Sequence, residues 1–102
     1  MNIRINKNLK EEFYQCCKRK GFTASKVVKI FINQYVSTGK IPFELGKNKK
    51  HVDENLIRID IAVDSNLALK FSQACEVYHH VNRSEMIRAF MDYCVASDSL
   101  PF

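Results

Sequence analysis

Four cysteines and three histidines are the side chains of this sequence that most often carry out catalysis or bind metal ions. Cys16 and Cys17 are adjacent, no Cys-x-x-Cys pair occurs, and His79-His80 has no partner at the spacing of metal ligands. The sequence also lacks a glycine-rich phosphate loop and a pattern that pairs a nucleophile with a base. We therefore expect no enzyme activity, no metal and no cofactor, and we interpret the cysteines as small buried apolar residues.

The charged residues are unevenly distributed along the chain. Sixteen Lys and Arg against eleven Asp and Glu give a net charge of +5. Residues 1–43 have a net charge of +7, residues 44–55 are neutral, and residues 56–102 have a net charge of −2. Such an imbalance either serves solubility or attracts a polyanion to one face of the protein. A polyanion is therefore one candidate partner.

Two segments of the chain resemble each other, which predicts how its elements are organised. Ile41-Pro42-Phe43 falls on Leu100-Pro101-Phe102 after a shift of 59 residues, and Phe31 then falls on Phe90. Earlier in the chain the shift is 58, so one additional residue is expected near His79. We interpret the two segments as two copies of one unit.

The predicted copies comprise residues 1–43 and 56–102, with a linker at residues 44–55. A copy of about 40 residues buries too little apolar surface to fold alone, so we expect the two to share one core. An alternative alignment places Ile3-Arg4-Ile5 on Ile57-Arg58-Ile59. This alignment puts the first helices of the two copies out of phase, so we reject it for the helices. It remains an alternative for the strands.

Each copy begins with a predicted strand, because apolar and polar residues alternate there. In the first copy Ile3 and Ile5 share one face, and Asn2 and Arg4 share the other. The alternation of the second copy extends over residues 57–63. The polar face of this second strand consists of Arg58, Asp60 and Ala62. A lone strand leaves its backbone groups unpaired, so the two strands should pair as an antiparallel ribbon.

Two amphipathic helices are predicted to follow each strand. The first helices should extend over about residues 7–20 and 65–78, and apolar stripes on all four helices should form the core. The predicted N-caps are Asn6, Thr23, Asp64 and Asn82. The expected fold is thus mainly α with a two-stranded antiparallel ribbon, in which two units form an intramolecular pseudo-dimer.

This order of elements resembles the ribbon-helix-helix fold of MetJ- and Arc-like DNA-binding proteins. The first copy resembles the RelB/DinJ-type antitoxins through Asn2-Ile3-Arg4-Ile5-Asn6, Leu9, Gly21-Phe22-Thr23-Ala24-Ser25 and Ile41-Pro42-Phe43. The second copy is similar to the fold through residues 61–64, Val81-Asn82-Arg83-Ser84-Glu85 and Leu100-Pro101-Phe102. Two such units in one chain also resemble TraY-like relaxosome accessory proteins.

The resemblance implies binding of double-stranded DNA, with the ribbon in the major groove. The base-reading positions would be Asn2, Arg4, Arg58, Asp60 and Ala62. Ala62 and Asp60 depart from the basic or amide side chains of the first strand, although they could meet a thymine methyl group and a cytosine amine. Backbone phosphates would lie at the N-termini of the second helices. The residues there are Thr23, Ala24, Ser25, Lys26, Asn82, Arg83 and Ser84. Simple helix capping also explains these residues, and both roles can hold together.

The function that the resemblance favours is transcriptional repression, with self-association of chains on adjacent DNA sites. A RelB/DinJ-like antitoxin that binds a toxin protein and an accessory protein at a transfer origin are the alternatives. Antitoxins of this type usually carry a tail beyond the DNA-binding unit, and we expect no such tail here, because the second Pro-Phe pair ends the sequence. Because residues 1–6 lack a signal sequence and no apolar run reaches about 20 residues, we expect a cytoplasmic protein without membrane contact.

Overall fold

A computed structural model describes residues 1–45 and 55–101 as a mainly helical protein with one two-stranded antiparallel sheet and four helices. Strand β1 (Asn2–Asn6) leads into helix α1 (Lys7–Arg19) and helix α2 (Ala24–Thr38). Strand β2 (Leu56–Asp60) leads into helix α3 (Ser65–Ala74), its π-helical extension (Cys75–His79) and helix α4 (Arg83–Ser97). Most of the predicted linker, residues 46–54, lies outside the described residues. None of the helices in the described ranges has the length and apolarity needed to cross a bilayer.

All four predicted N-caps are confirmed. Asn6, Thr23, Asp64 and Asn82 each accept a hydrogen bond from a backbone N–H two or three residues later, at 2.8 to 3.3 Å. Helix α1 ends at Arg19, its C-cap is Lys20, and Gly21 follows with a φ of 80° in the left-handed region. Local interactions thus determine where the helices begin and where α1 ends.

The cap at Asn6 should contribute measurably to folding stability. Its side chain is 7% exposed and accepts from two N–H groups of α1, at 2.8 and 3.1 Å. We expect Asn6→Ala to lower the free energy of unfolding by about 1–2 kcal/mol in urea denaturation. Asp64→Ala, at an exposed cap with a single bond at 2.8 Å, is the matched control and should cost less. Equal stability of the Asn6 variant and the wild type would contradict this role.

Strands β1 and β2 pair antiparallel, as predicted. Arg4 lies directly opposite Arg58, and Asn2 lies opposite Asp60. These four side chains are exposed, whereas the alternating isoleucines point toward the core. The pairing of Arg4 with Arg58 agrees with the strand alignment that the sequence left open.

The prediction that the second strand continues to Val63 is wrong, because β2 ends at Asp60. The backbone N–H of Val63 donates to the carbonyl oxygen of Ile61 at 2.9 Å. This bond closes a three-residue turn centred on Ala62 and directs the chain into α3. Ala62 therefore lies in a turn and not on the ribbon.

The helices and the ribbon bury one continuous apolar core. Helix α1 packs against α4, and α2 packs against α3. Phe31 of α2 and Phe90 of α4 stack at its centre, with ring centroids 4.2 Å apart. The predicted stripes are buried at Val27, Val28, Phe31, Ile32, Tyr35, Met86, Ile87, Phe90, Met91 and Cys94. Because Phe31 and Phe90 come from opposite halves of the chain, neither half holds this core alone.

The segment between the caps of α3 and α4 contains the extra residue that the sequence comparison placed near His79. The interval from Asp64 to Asn82 is one residue longer than the interval from Asn6 to Thr23. The π-helical turn at Cys75–His79 lies in the longer interval. A π-helical turn takes up one more residue than an α-helical turn, so the flanking helices keep their packing.

Candidate nucleic-acid interface

An open groove of about 530 Å³ joins the outer face of the ribbon to the N-terminus of α4. Its basic side chains are Arg4, Arg58, Arg83 and Arg88. None of the described residues that line it is acidic. We call this surface the arginine groove. A concave surface lined by charges of one sign strengthens the local potential and attracts ions of the opposite sign.

Arg4 and Arg58 form the centre of the outward ribbon face. They are direct cross-strand neighbours, and both are exposed. Neither guanidinium group forms an ion pair with any described residue. Like charges placed directly opposite each other destabilise a strand pair. The opposed arginines therefore destabilise the ribbon of the free protein, and a bound anion would relieve their repulsion.

Two contacts hold α4 against β1. The Arg88 guanidinium donates to the backbone carbonyl of Arg4 at 2.9 Å, and the backbone N–H of Arg4 donates to Ser84 Oγ at 3.4 Å. These bonds position the N-terminus of α4 relative to the ribbon. Arg88 was not among the site residues predicted from the sequence. The one signal for it was that Lys29 falls on Arg88 when the two predicted copies are aligned, which gives a basic residue at the same helical position.

The structure brings only one of the two predicted phosphate-binding segments to the arginine groove. Asn82, Arg83 and Ser84 line it at the N-terminus of α4. The segment Thr23, Ala24, Ser25 and Lys26 does not contribute to its lining. There Thr23 caps α2 by accepting from the Lys26 N–H at 3.3 Å.

The side chain of Asn82 forms its hydrogen bonds within the helix cap of α4. Its Oδ1 accepts from the Glu85 N–H at 2.9 Å, and its Nδ2 donates to Glu85 Oε1 at 2.9 Å. This arrangement is a variant of the capping box, since the Glu85 carboxylate accepts from the side-chain amide of the cap residue. Arg83 and Ser84 are therefore the better placed anion contacts of this segment.

The second strand offers a different set of outward side chains from the one predicted. Asp60 faces outward with a side chain 75% exposed, and it pairs with the Met1 amine at 3.2 Å. Ala62, predicted as a base-reading residue, lies beyond the end of β2. Leu56 takes an outward place at the opposite end of this strand and lines the arginine groove. The outward residues of β2 are thus Leu56, Arg58 and Asp60.

The four cysteines are free and buried, which confirms their predicted packing role. Burial raises the pKa of Cys17 to about 11 and the pKa values of Cys75 and Cys94 to about 12. Burial, and then the Asp98 carboxylate, also raises the pKa of Cys16. These thiols are therefore protonated at neutral pH and are poor nucleophiles. In residues 1–45 and 55–101, no group of three His, Cys, Asp or Glu side chains could hold a metal ion.

A family model described as RelB antitoxin matches residues 1–60 of the chain. The matched range includes β1, α1, α2 and β2, and thus both strands of the ribbon. No curated protein and no solved structure matches the chain. The family match therefore includes both strands that carry the outward arginines, Arg4 and Arg58.

Proposed function

Because the chain belongs to the RelB antitoxin family, we propose that it binds double-stranded DNA sequence-specifically and represses transcription. The observation that carries the proposal is the outward Arg4–Arg58 pair, which shares one groove with Arg83 and Arg88. The major groove of B-DNA admits a two-stranded ribbon and displays a distinct pattern of donors and acceptors for each base pair. Arginine suits both guanine edges and phosphates, because its planar fork donates two parallel hydrogen bonds.

The residues of the arginine groove take different roles in this proposal. Arg4 and Arg58 contact guanine edges, and Asn2 contacts adenine. Arg83 and the free N–H groups at the start of α4 bind a backbone phosphate, supported by the helix dipole. Arg88 is a positioning residue, since it donates to the Arg4 backbone at 2.9 Å. Base edges would supply specificity and the phosphate would set the register on the duplex.

The proposal includes the tandem arrangement of two ribbon-helix-helix units, at residues 1–43 and 56–102, as an intramolecular pseudo-dimer. The packing of α1 on α4 and of α2 on α3 supports it, because these contacts are equivalent under the internal repeat. The outward residues of the two strands differ, so the DNA site should be an imperfect palindrome or a direct repeat. Chains bound at adjacent sites would then associate with each other.

Footprinting on the DNA upstream of the protein's own coding sequence tests this function. We expect a protected stretch there, and an affinity that falls as salt rises. Each phosphate that the protein neutralises should make the slope of log K against log[salt] more negative by about 0.9. Protection confined to a transfer origin would instead support the accessory role in DNA transfer. Absence of protection at every salt concentration would overturn the DNA-binding proposal.

Toxin neutralisation is the second candidate function, and the description of the matching family favours it. Three large apolar side chains of α3 and its π-helical extension are exposed and could contact such a partner, namely Leu69, Val77 and Tyr78. None of the three lines the arginine groove. Co-purification with the product of an adjacent gene would support this function, and separate elution of the two proteins would contradict it.

A further inference from the structure

Leu56 is an apolar side chain on the polar face of the ribbon. It alternates with the inward-pointing Ile57 and shares the outward face of β2 with Arg58 and Asp60. It is 38% exposed, and it lines the arginine groove. Leu56 belongs neither to the core cluster nor to the partly buried apolar side chains that pack against that cluster. Core packing therefore does not account for a leucine at this position.

The cross-strand neighbour of Leu56 gives no apolar contact either. Asn6 lies opposite Leu56, and its side chain is turned toward the N-terminus of α1, where it accepts two hydrogen bonds. Of the other eight described residues that line the groove, seven are polar and one, Ile3, is apolar. An apolar side chain in this setting gains most by meeting an apolar group that is brought in from outside.

We propose that Leu56 is a specificity-determining residue that contacts the 5-methyl group of a thymine in the major groove. This inference rests on the proposed DNA-binding function. The thymine methyl is the apolar feature of the base edges exposed there, and small apolar side chains recognise it by contact. Leu56 would thus contact the thymine methyl group in place of Ala62, for which the resemblance implied such a contact.

The strand geometry also predicts where this thymine lies. Two residues along a strand correspond to about 6.6 Å, and two base-pair steps to about 6.8 Å. Leu56 is two residues from Arg58 on the same face. Because a ribbon in the major groove is inclined to the duplex axis, this span covers at most two base-pair steps, so the thymine should lie within two base pairs of the base that Arg58 contacts.

The test combines a protein variant with a change of a single methyl group on the DNA. A site is first selected from random duplexes with the full-length wild-type chain. Each thymine is then replaced by deoxyuridine, which lacks the 5-methyl group, and the Kd values of the wild type and Leu56→Ala are measured. At one thymine we expect deoxyuridine to weaken wild-type binding by about fourfold, the factor that corresponds to burial of one methyl group. Leu56→Ala should bind the thymine site more weakly and show no further loss with deoxyuridine.

Leu69→Ala is the matched control, because Leu69 is an exposed leucine on α3, outside the arginine groove. It should keep the full sensitivity to deoxyuridine. Equal sensitivity of the wild type and Leu56→Ala at every thymine would overturn the inference and leave DNA binding intact. Failure of the wild type to bind any duplex at low salt would overturn the proposed function itself. Circular dichroism of Leu56→Ala should match the wild type, since the side chain is outside the core.

Discussion

Alanine at both Arg4 and Arg58 is expected to weaken sequence-specific DNA binding by about 30-fold or more. One arginine contact to a base edge contributes about 1–3 kcal/mol, and these two side chains lie opposite each other at the centre of the ribbon. Arg4→Ala alone should relax the preference at one base pair. Fluorescence anisotropy with the selected duplex and with a random duplex, at one salt concentration, measures both effects.

A control of equal charge change is Lys18→Ala combined with Lys70→Ala. Both lysines are exposed, and neither lines the arginine groove. This variant should lose little specific affinity. The Arg4 and Arg58 variant should be at least as stable as the wild type in urea, because removal of the opposed charges relieves their repulsion. An equal loss of binding by both double variants would show that net charge alone drives association.

Phe90→Ala is expected to lower the free energy of unfolding by about 3–5 kcal/mol. The Phe90 side chain is fully buried, it stacks on Phe31 at 4.2 Å, and its ring centroid lies 6.0 Å from that of Phe13. A domain of this size has a total stability of about 5–15 kcal/mol, so the loss is a large fraction of it. Urea denaturation followed by circular dichroism measures the change.

The wild type should unfold in a single transition, because Phe90 joins the two halves of the chain through one core. Phe22→Ala provides the control at a phenylalanine that is 39% exposed, and it should cost less than about 1 kcal/mol. Two separate unfolding transitions in the wild type would contradict the shared core. The shared core would also be contradicted if the free energy of unfolding of Phe90→Ala lay within about 1 kcal/mol of that of Phe22→Ala.

The local elements of this protein could be predicted from the sequence because their causes are local. A cap such as Asn6 acts on N–H groups two and three residues away, and Gly21 ends α1 through its own backbone conformation. The apolar stripes follow the helical period and place residues such as Phe31 and Phe90 in the core. The antiparallel ribbon followed from the need of each strand for a partner.

The exact shape of the candidate site could not be predicted in the same way. An alternation of period two keeps the same faces when the register shifts by two residues, so the sequence pattern could not choose the partner of Arg4. The turn at Ala62, which ends β2, depends on one backbone bond between Val63 and Ile61. This turn removed Ala62 from the ribbon.

By itself, then, the sequence determined the helices, their caps, the apolar core residues and the polar outer face of the first strand, because each arises from interactions within a few residues. Only the tertiary structure decided that Arg4 lies opposite Arg58, that Arg88 binds the backbone of Arg4, and that Leu56 joins the outward face. The physical reason is that these relations join residues far apart in the chain. They are determined by how the helices pack over the shared core, which no short stretch of sequence encodes.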